Sequence, residues 1–259
     1  PLWSRYLVGA ILWWRMKRTN FVPGTYLSGV IEALGEGVTD FNVGDAVFAP
    51  TGFAFGAHAE YAVVPARKLA IKPEAISHAA AATIPLGGLN ALHFLRLAEV
   101  QPGERVLVVG AGGTIGTWAV QLARHYGAHV TAVDLAHKHA MLRELGADET
   151  LDHTTHDFTA LGQAWDVIFD VPGVTPYRRS LGSLNAGGRY ILANPTLWQL
   201  LIAKHSTRTT GKEVITAFAG EPVEDMHYLA GLLADGTLQP TVERGYALAE
   251  AAAAHAYIE

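Results

Sequence analysis

The stretch Arg105–Asp134, RVLVVGAGGTIGTWAVQLARHYGAHVTAVD, decides how the rest of the chain is read. RVLVVG is β-rich and nearly all apolar, as a central parallel strand covered on both faces requires. A helix follows, because Ile115, Ala119, Leu122 and Tyr126 fall at steps of four, three and four on one helical face. Gly127 suits the position just past its end. A second strand, HVTAV, then closes on an acid, Asp134.

The turn between strand and helix does not match the strict G-x-G-x-x-G fingerprint of dinucleotide sites. It matches A-x-G-x-x-G, with Ala111, Gly113 and Gly116. A small first residue is enough for the tight turn, Gly113 lets backbone approach a pyrophosphate, and Gly116 lets the helix pack on the strand. The helix start, with the amides of Thr114 and Ile115, presents roughly half a positive charge to a phosphate. Asp134 lies 21 residues beyond Gly113, where a carboxylate accepts hydrogen bonds from an adenosine ribose. The plainer alternative is a tight turn in a parallel sheet that binds another nucleotide or none. With strand, helix, second strand and acid all in register, the dinucleotide reading is preferred.

Outward from this unit, further strands are expected at Glu149–Asp152, Trp165–Asp170, Arg189–Ala193 and Glu213–Ala217, most of them separated by segments of helical period. Six such strands predict an α/β fold with a Rossmann-like doubly wound parallel sheet. Upstream, from about Val22 to Lys72, SGVIEALG, VGDAVFA and HAEYAVVP read as short strands broken by glycine and proline. From about Ser77 an alanine- and leucine-rich run reads as helices joined at Pro85–Gly88. The expected divisions are residues 1–79, 80–220 and 221–259.

Composition narrows the function. Of 259 residues, 50% are hydrophobic and 17% charged, which is globular rather than disordered. A net charge of −5 gives no pull toward nucleic acid or an anionic membrane, so a small-molecule partner is expected. The absence of cysteine removes disulfides and thiolate zinc sites. The apolar run Tyr6–Trp14 is shorter than the ~20 residues of a membrane helix, and no small-residue cleavage site follows it. A soluble, cytoplasmic protein is expected. The first residue, Pro1, and the helical pattern running to Glu259 suggest a fragment lacking material at both ends.

The chain as a whole resembles the zinc-independent medium-chain dehydrogenase/reductase family, in its quinone oxidoreductase (zeta-crystallin-like) branch. The resemblance rests on PGTYLSGVIEALGEGVTDFNVGDAVFA, GAHAEYAVVPARKLAIKPE, AAATIPLGGLNAL, the A-x-G-x-x-G unit, LRELGADETLDH, WDVIFDVPG and LNAGGRYI, in family order. It implies a GroES-like substrate domain around a Rossmann domain, with 221–259 returning to the substrate domain. It also implies a homodimer made by joining Rossmann sheets edge to edge. Zinc-dependent relatives have a G-H-E motif where this chain has Gly24, Thr25 and Tyr26, so no zinc is expected. His58, in GAHAEY, is read as packing or surface. The pairs His137 with His139 and His153 with His156 lack a carboxylate arrangement for a metal and are read as solvated.

The chemistry implied is hydride transfer between a nicotinamide and a quinone, enone or related carbonyl compound. Asn90 matches a family threonine near the nicotinamide ribose, and Ala193, Asn194 and Pro195 should flank the carboxamide, since Rossmann ligands sit at the carboxyl ends of strands. Cofactor choice pulls two ways. Asp134 repels a 2′-phosphate and favours NAD, whereas Lys138 matches a family lysine that reaches that phosphate and His153 replaces a tyrosine of the same pocket. NAD is favoured, with NADP use open. The proton donor is unassigned, because the family's N-P-x-D segment is not in this chain. Tyr26 is a weak catalytic candidate beside its plainer reading as a packed tyrosine. Two other functions stay open: a non-catalytic nucleotide-binding protein, and an enoyl reductase unit of a larger synthase. A fragment left inactive by its missing strands is a third possibility.

Overall fold

Apolar stretches cut every few residues by glycine and proline make short strands. In the computed structural model, which describes residues 21–258, three of them pair antiparallel: β1 (Tyr26–Val30), β2 (Ala46–Pro50) and β3 (Ala70–Ile71), in the order β1-β2-β3. The central strand buries Val47, Phe48 and Ala49. The Ser28 hydroxyl donates to the Val47 carbonyl at 2.9 Å and lies 2.7 Å from Nδ1 of His78, which opens α1 (His78–Thr83). The run Tyr6–Trp14 lies outside the described residues.

The strand expected at HAEYAVVP does not form. Residues 58–65 pair with none of the three strands, and Tyr61 and Val63 are exposed. Alternating β-branched residues fit a pleated surface, but a strand also needs a neighbour for its amides and carbonyls.

Helix runs through the Pro85 junction instead of stopping at it. A wide turn, Ile84–Gly88, links α1 to α2 (Leu89–Leu97). Proline has no amide to donate and its ring crowds the preceding turn, which local widening relieves.

Beyond α2 the alternation is regular: β4 (Arg105–Val109), α3 (Thr114–His125), β5 (His129–Asp134), α4 (His139–Glu144), β6 (Glu149–Asp152), β7 (Trp165–Asp170), α5 (Tyr177–Gly182), β8 (Leu184–Leu192), α6 (Leu197–Thr210) and β9 (Glu213–Ile215). The six strands are all parallel, in the order β6-β5-β4-β7-β8-β9. β4 lies inside the sheet, and Val106, Leu107 and Val108 are fully buried. The order reverses between β4 and β7, which makes a crevice at their carboxyl ends.

Two strand boundaries differ from expectation by two residues or more. β8 begins at Leu184 rather than Arg189, because Leu184 pairs with Trp165 before a register shift carries the chain through Gly187. Gly187 has φ 72°, so the N-A-G-G segment is an irregularity within the strand. β9 ends at Ile215, two residues before the expected Ala217.

The helix after β9, α7 (Val223–Ala234), corrects the expected return at residue 221. The chain forms two compact units that divide between Ala82 and Thr83 and between Thr241 and Val242. α7 belongs with the parallel sheet's unit: Met226, Leu229, Ala230 and Leu233 are buried, a Cβ on Gly88 would meet Leu229 at 2.9 Å, and Arg96 pairs with Asp225 at 2.6 Å. The later segment, with α8 (Ala251–Ile258), belongs with the small sheet's unit. There the His255 and His58 rings lie 5.8 Å apart, and Tyr257 donates to Glu243 at 2.6 Å.

Candidate functional site

The glycine turn is held from several sides. The amides of Gly110 and Ala111 both donate to the Val133 carbonyl, at 3.0 and 3.2 Å, which fastens the turn to the end of β5. Gly116 sits against that turn so closely that a Cβ would overlap the Gly110 carbonyl and the Ala111 backbone. The third glycine of the pattern is therefore required by contact between α3 and the turn. Gly113 is exposed, and a Cβ added there would meet the Gly110 carbonyl oxygen at 3.4 Å, an ordinary contact. It caps α3 with no side chain, so the Thr114 and Ile115 amides at the first turn have no intrahelical acceptor and no side-chain cap.

Asp134 ends β5 beside this turn and is 8% exposed. Its Oδ2 accepts from the Gly112 amide at 2.8 Å and its Oδ1 from the Leu135 amide at 2.8 Å. A carboxylate oxygen has two lone pairs, so both oxygens keep accepting capacity. The Lys138 ammonium lies 3.5 Å from Oδ1 and donates to the Gly112 carbonyl at 3.3 Å. His139, expected to be solvated, is half-buried, with Nε2 3.2 Å from the Asp134 carbonyl. It opens α4, and helical side chains lean toward the helix N-terminus, which here is the end of β5.

A cavity of about 410 Å³ opens at the carboxyl ends of β4 and β5. Gly110, Asp134, His153 and the segment His156–Phe158 line it, together with Pro172 and Val174–Pro176 of the loop after β7. His153 and His156 are exposed, with Nδ1 of His156 2.8 Å from the Thr155 hydroxyl. Apolar walls with the Asp134 and Asp157 carboxylates among them suit a purine and its ribose.

Asp170, at the end of β7, shapes the loop wall. It is fully buried and accepts from the Gly173 amide at 2.9 Å, the Thr175 amide at 3.2 Å, the Thr175 hydroxyl at 2.5 Å and the Tyr190 hydroxyl at 3.0 Å. Burial, and then the Asp170 carboxylate beside it, push the Tyr190 phenol far above its usual range and keep it a donor. Gly173 has φ 69°, and a Cβ there would overlap the Asn194 carbonyl oxygen.

The residues singled out in the sequence fall into three places. Ala111, Gly113, Thr114, Ile115, Gly116, Asp134 and Lys138 surround one turn, and His153 lines the same cavity as Asp134. Ala193, Asn194 and Pro195 follow β8, and Asn194 donates to the Val171 carbonyl at 2.8 Å, against the loop after β7. Asn90 donates to the Leu86 carbonyl at 2.8 Å in the wide turn, where a Cβ on Gly87 would meet the Thr114 carbonyl at 2.7 Å. That contact brings the wide turn against the start of α3. Tyr26 and His58 lie in the other unit: Tyr26 is half-buried on β1 beside an open cavity of about 1280 Å³, and His58 is exposed.

Sequence reasoning missed Gly87, Gly112 and the Asp170 network. Only the last left a signal, an acid ending a strand with glycine three residues on. Among the described residues no group of three or more His, Asp or Glu is arranged to hold a metal ion, and no helix is long and apolar enough to cross a membrane.

The chain is similar to known proteins along most of its length. Residues 5–74 match the family pattern described as alcohol dehydrogenase GroES-like domain, and residues 145–259 match that of zinc-binding dehydrogenase. The quinone-oxidoreductase QR1, chloroplastic, of Triphysaria versicolor is 29% identical over 247 residues, covering 91% of this chain and 75% of its own. The pikromycin polyketide synthase component PikAII of Streptomyces venezuelae is 40% identical over 177 residues, covering 65% of this chain and 5% of its own. Among solved structures, Escherichia coli quinone oxidoreductase complexed with NADPH superposes with TM-score 0.80 at 27% identity, covering 91% of this chain and 78% of that one.

Proposed function

The chain belongs to the medium-chain dehydrogenase/reductase family, and from that premise we propose that it is an NAD(P)H-dependent oxidoreductase acting on a quinone, an enone or a related carbonyl compound. One observation carries the proposal: the uncapped start of α3, the Gly113 opening and the cavity beside Asp134 lie together at the carboxyl ends of β4 and β5. The residues fit a dinucleotide. The Thr114 and Ile115 amides face the pyrophosphate, Asp134 accepts from the adenosine ribose, and His153 and Phe158 border the purine. Asn90 and Ala193–Pro195 hold the nicotinamide end. When bound, the nicotinamide supplies a hydride to an electron-poor carbon of the acceptor. The chain orients the two reactants and supports the charge that develops on the acceptor oxygen.

NAD is the favoured cofactor, because a carboxylate fixed by two amides cannot turn away from a 2′-phosphate. The reading is zinc-independent, on the donor set: the chain has no cysteine, and Thr25 stands where the family's G-H-E metal motif has its histidine. An edge-to-edge homodimer through β9, an outer strand of its sheet, belongs to the same proposal. A second reading, the enoyl reductase unit of a larger synthase, draws on the 40% identity to the polyketide synthase component.

The test is titration with NADH and NADPH, followed by cofactor fluorescence and by quenching of Trp118 on α3, and then turnover with a quinone and enone panel. NADH is expected to bind several-fold tighter, with the order reversed by Asp134→Ser. Binding without turnover on any acceptor leaves a nucleotide-binding protein and defeats the enzyme. Turnover only with an enoyl thioester favours the synthase reading.

A further inference from the structure

Gly112 stands at a position where the A-x-G-x-x-G pattern accepts any residue, yet three contacts meet on it. Its amide donates to Oδ2 of Asp134 at 2.8 Å, its carbonyl accepts from the Lys138 ammonium at 3.3 Å, and a Cβ built on it would overlap Cδ of Lys138. The lysine stem lies flat across the bare Cα, and this is how its ammonium comes within 3.5 Å of Oδ1 of Asp134. The backbone does not explain the glycine, since Gly112 is absent from the residues with positive φ. Alanine is allowed there by conformation and opposed only by the lysine stem and, more gently, by Oδ2 at 3.1 Å.

We propose that Gly112 is a positioning residue for cofactor choice: by having no side chain it seats Lys138 against Asp134, and this seat sets how far the site tolerates a 2′-phosphate. The inference rests on the dinucleotide reading above. The electrostatic logic is short. Two amides fix the Asp134 carboxylate, so its charge stays at the ribose corner whatever ligand arrives. An ammonium held beside it offsets that charge and offers a partner to a dianionic phosphate. A ribose with a free 2′-hydroxyl needs the carboxylate and gains little from the lysine. Moving Lys138 off the turn therefore weakens NADPH and largely spares NADH. The lysine is the part that yields, because its end is flexible and its side chain is 34% exposed, while Asp134 is held from two directions.

The experiment is a double-mutant cycle on this chain, with dissociation constants for NADH and NADPH measured by fluorescence for the parent, Gly112→Ala, Lys138→Met and the pair. Gly112→Ala is expected to weaken NADPH roughly fivefold, the scale of one partly exposed ion pair, and to leave NADH within about twofold. In the Lys138→Met background the same glycine substitution is expected to change nothing further, because the seat it would disturb is already empty of charge. High salt is expected to shrink the difference. An unchanged NADPH-to-NADH ratio in Gly112→Ala overturns the proposal. So does an equal change with and without the lysine, or a parallel loss of both nucleotides, which would mark a damaged turn. If the parent binds neither nucleotide, the dinucleotide reading itself falls, an outcome distinct from a parent that binds both with a ratio indifferent to Gly112.

Discussion

Two aspartates end parallel strands on either side of β4, and they do different work. Asp134 closes β5 and Asp170 closes β7, and each gathers amides from a nearby loop. Asp170 is fully buried, and the partners it draws on are amides and hydroxyls. Asp134 keeps an edge exposed and has an ammonium 3.5 Å away. A carboxylate held below the surface by several donors fixes a loop. One that is nearly buried but lines the cavity beside a movable cation meets whatever occupies it. The same side chain thus serves the fold at one strand end and, on the proposed reading, selectivity at the next.

The sharpest way to break this comparison is Asp170→Ala. It removes the acceptor of the Gly173 and Thr175 amides and leaves the Tyr190 and Thr175 hydroxyls only each other and Ser180, a loss of about 3 kcal/mol for a buried network deprived of its shared acceptor. Urea unfolding measures it, and both nucleotides are expected to weaken alike as the wall 172–176 loosens. A variant as stable as the parent would show that the loop holds itself. Asp134→Ser is expected to cost less, about 1 kcal/mol, since the amides it releases are close to water. Its main effect is on the ratio of NADH to NADPH affinity, and a parallel loss of both would put Asp134 in the same class as Asp170.

Tyr190→Phe gives the finest distinction. Near neutral pH it removes one hydrogen bond to Asp170, about 1 kcal/mol. At high pH the linkage has a definite sign. The folded phenol titrates above the unfolded one, so as pH rises past about 10 the unfolded chain releases its proton first and stability falls. The Tyr190→Phe variant should lose part of that fall, up to about 1.4 kcal/mol per pH unit, as read from unfolding midpoints between neutral and strongly alkaline buffer. Tyr126 and Tyr177, also pushed up by burial, and Tyr257, pushed up by its hydrogen bond to Glu243, contribute to the remaining slope. An identical alkaline limb in the variant would mean that another group carries it.

The legible parts of this protein are those whose cause lies within one or two turns of chain. RVLVVG, the spacing of Ile115 to Tyr126 and the A-x-G-x-x-G turn each answer to local rules, and the parallel sheet follows from their alternation. What escaped depends on partners far along the chain. Gly112 looks replaceable until Lys138, 26 residues later, is seen lying across it. The Asp170 network needs Tyr190, 20 residues away, to explain a buried acid. HAEYAVVP has the composition of a strand, but pairing is a property of the neighbour as much as of the segment. The apolar face of α7 announces burial without saying against which unit, so the expected return at residue 221 comes 21 residues later, at Val242.

From Gly116 to Ala123, α3 is buried at every residue. A helix enclosed over these eight residues cannot roll or slide, so on the proposed reading the amides of the exposed Thr114 and half-buried Ile115 just ahead of them are aimed before any ligand arrives. The alignment entropy has already been lost during folding, and an incoming phosphate has no ordering left to impose on them. Association at this end of the nucleotide is then governed by diffusion and by the shedding of the anion's own water.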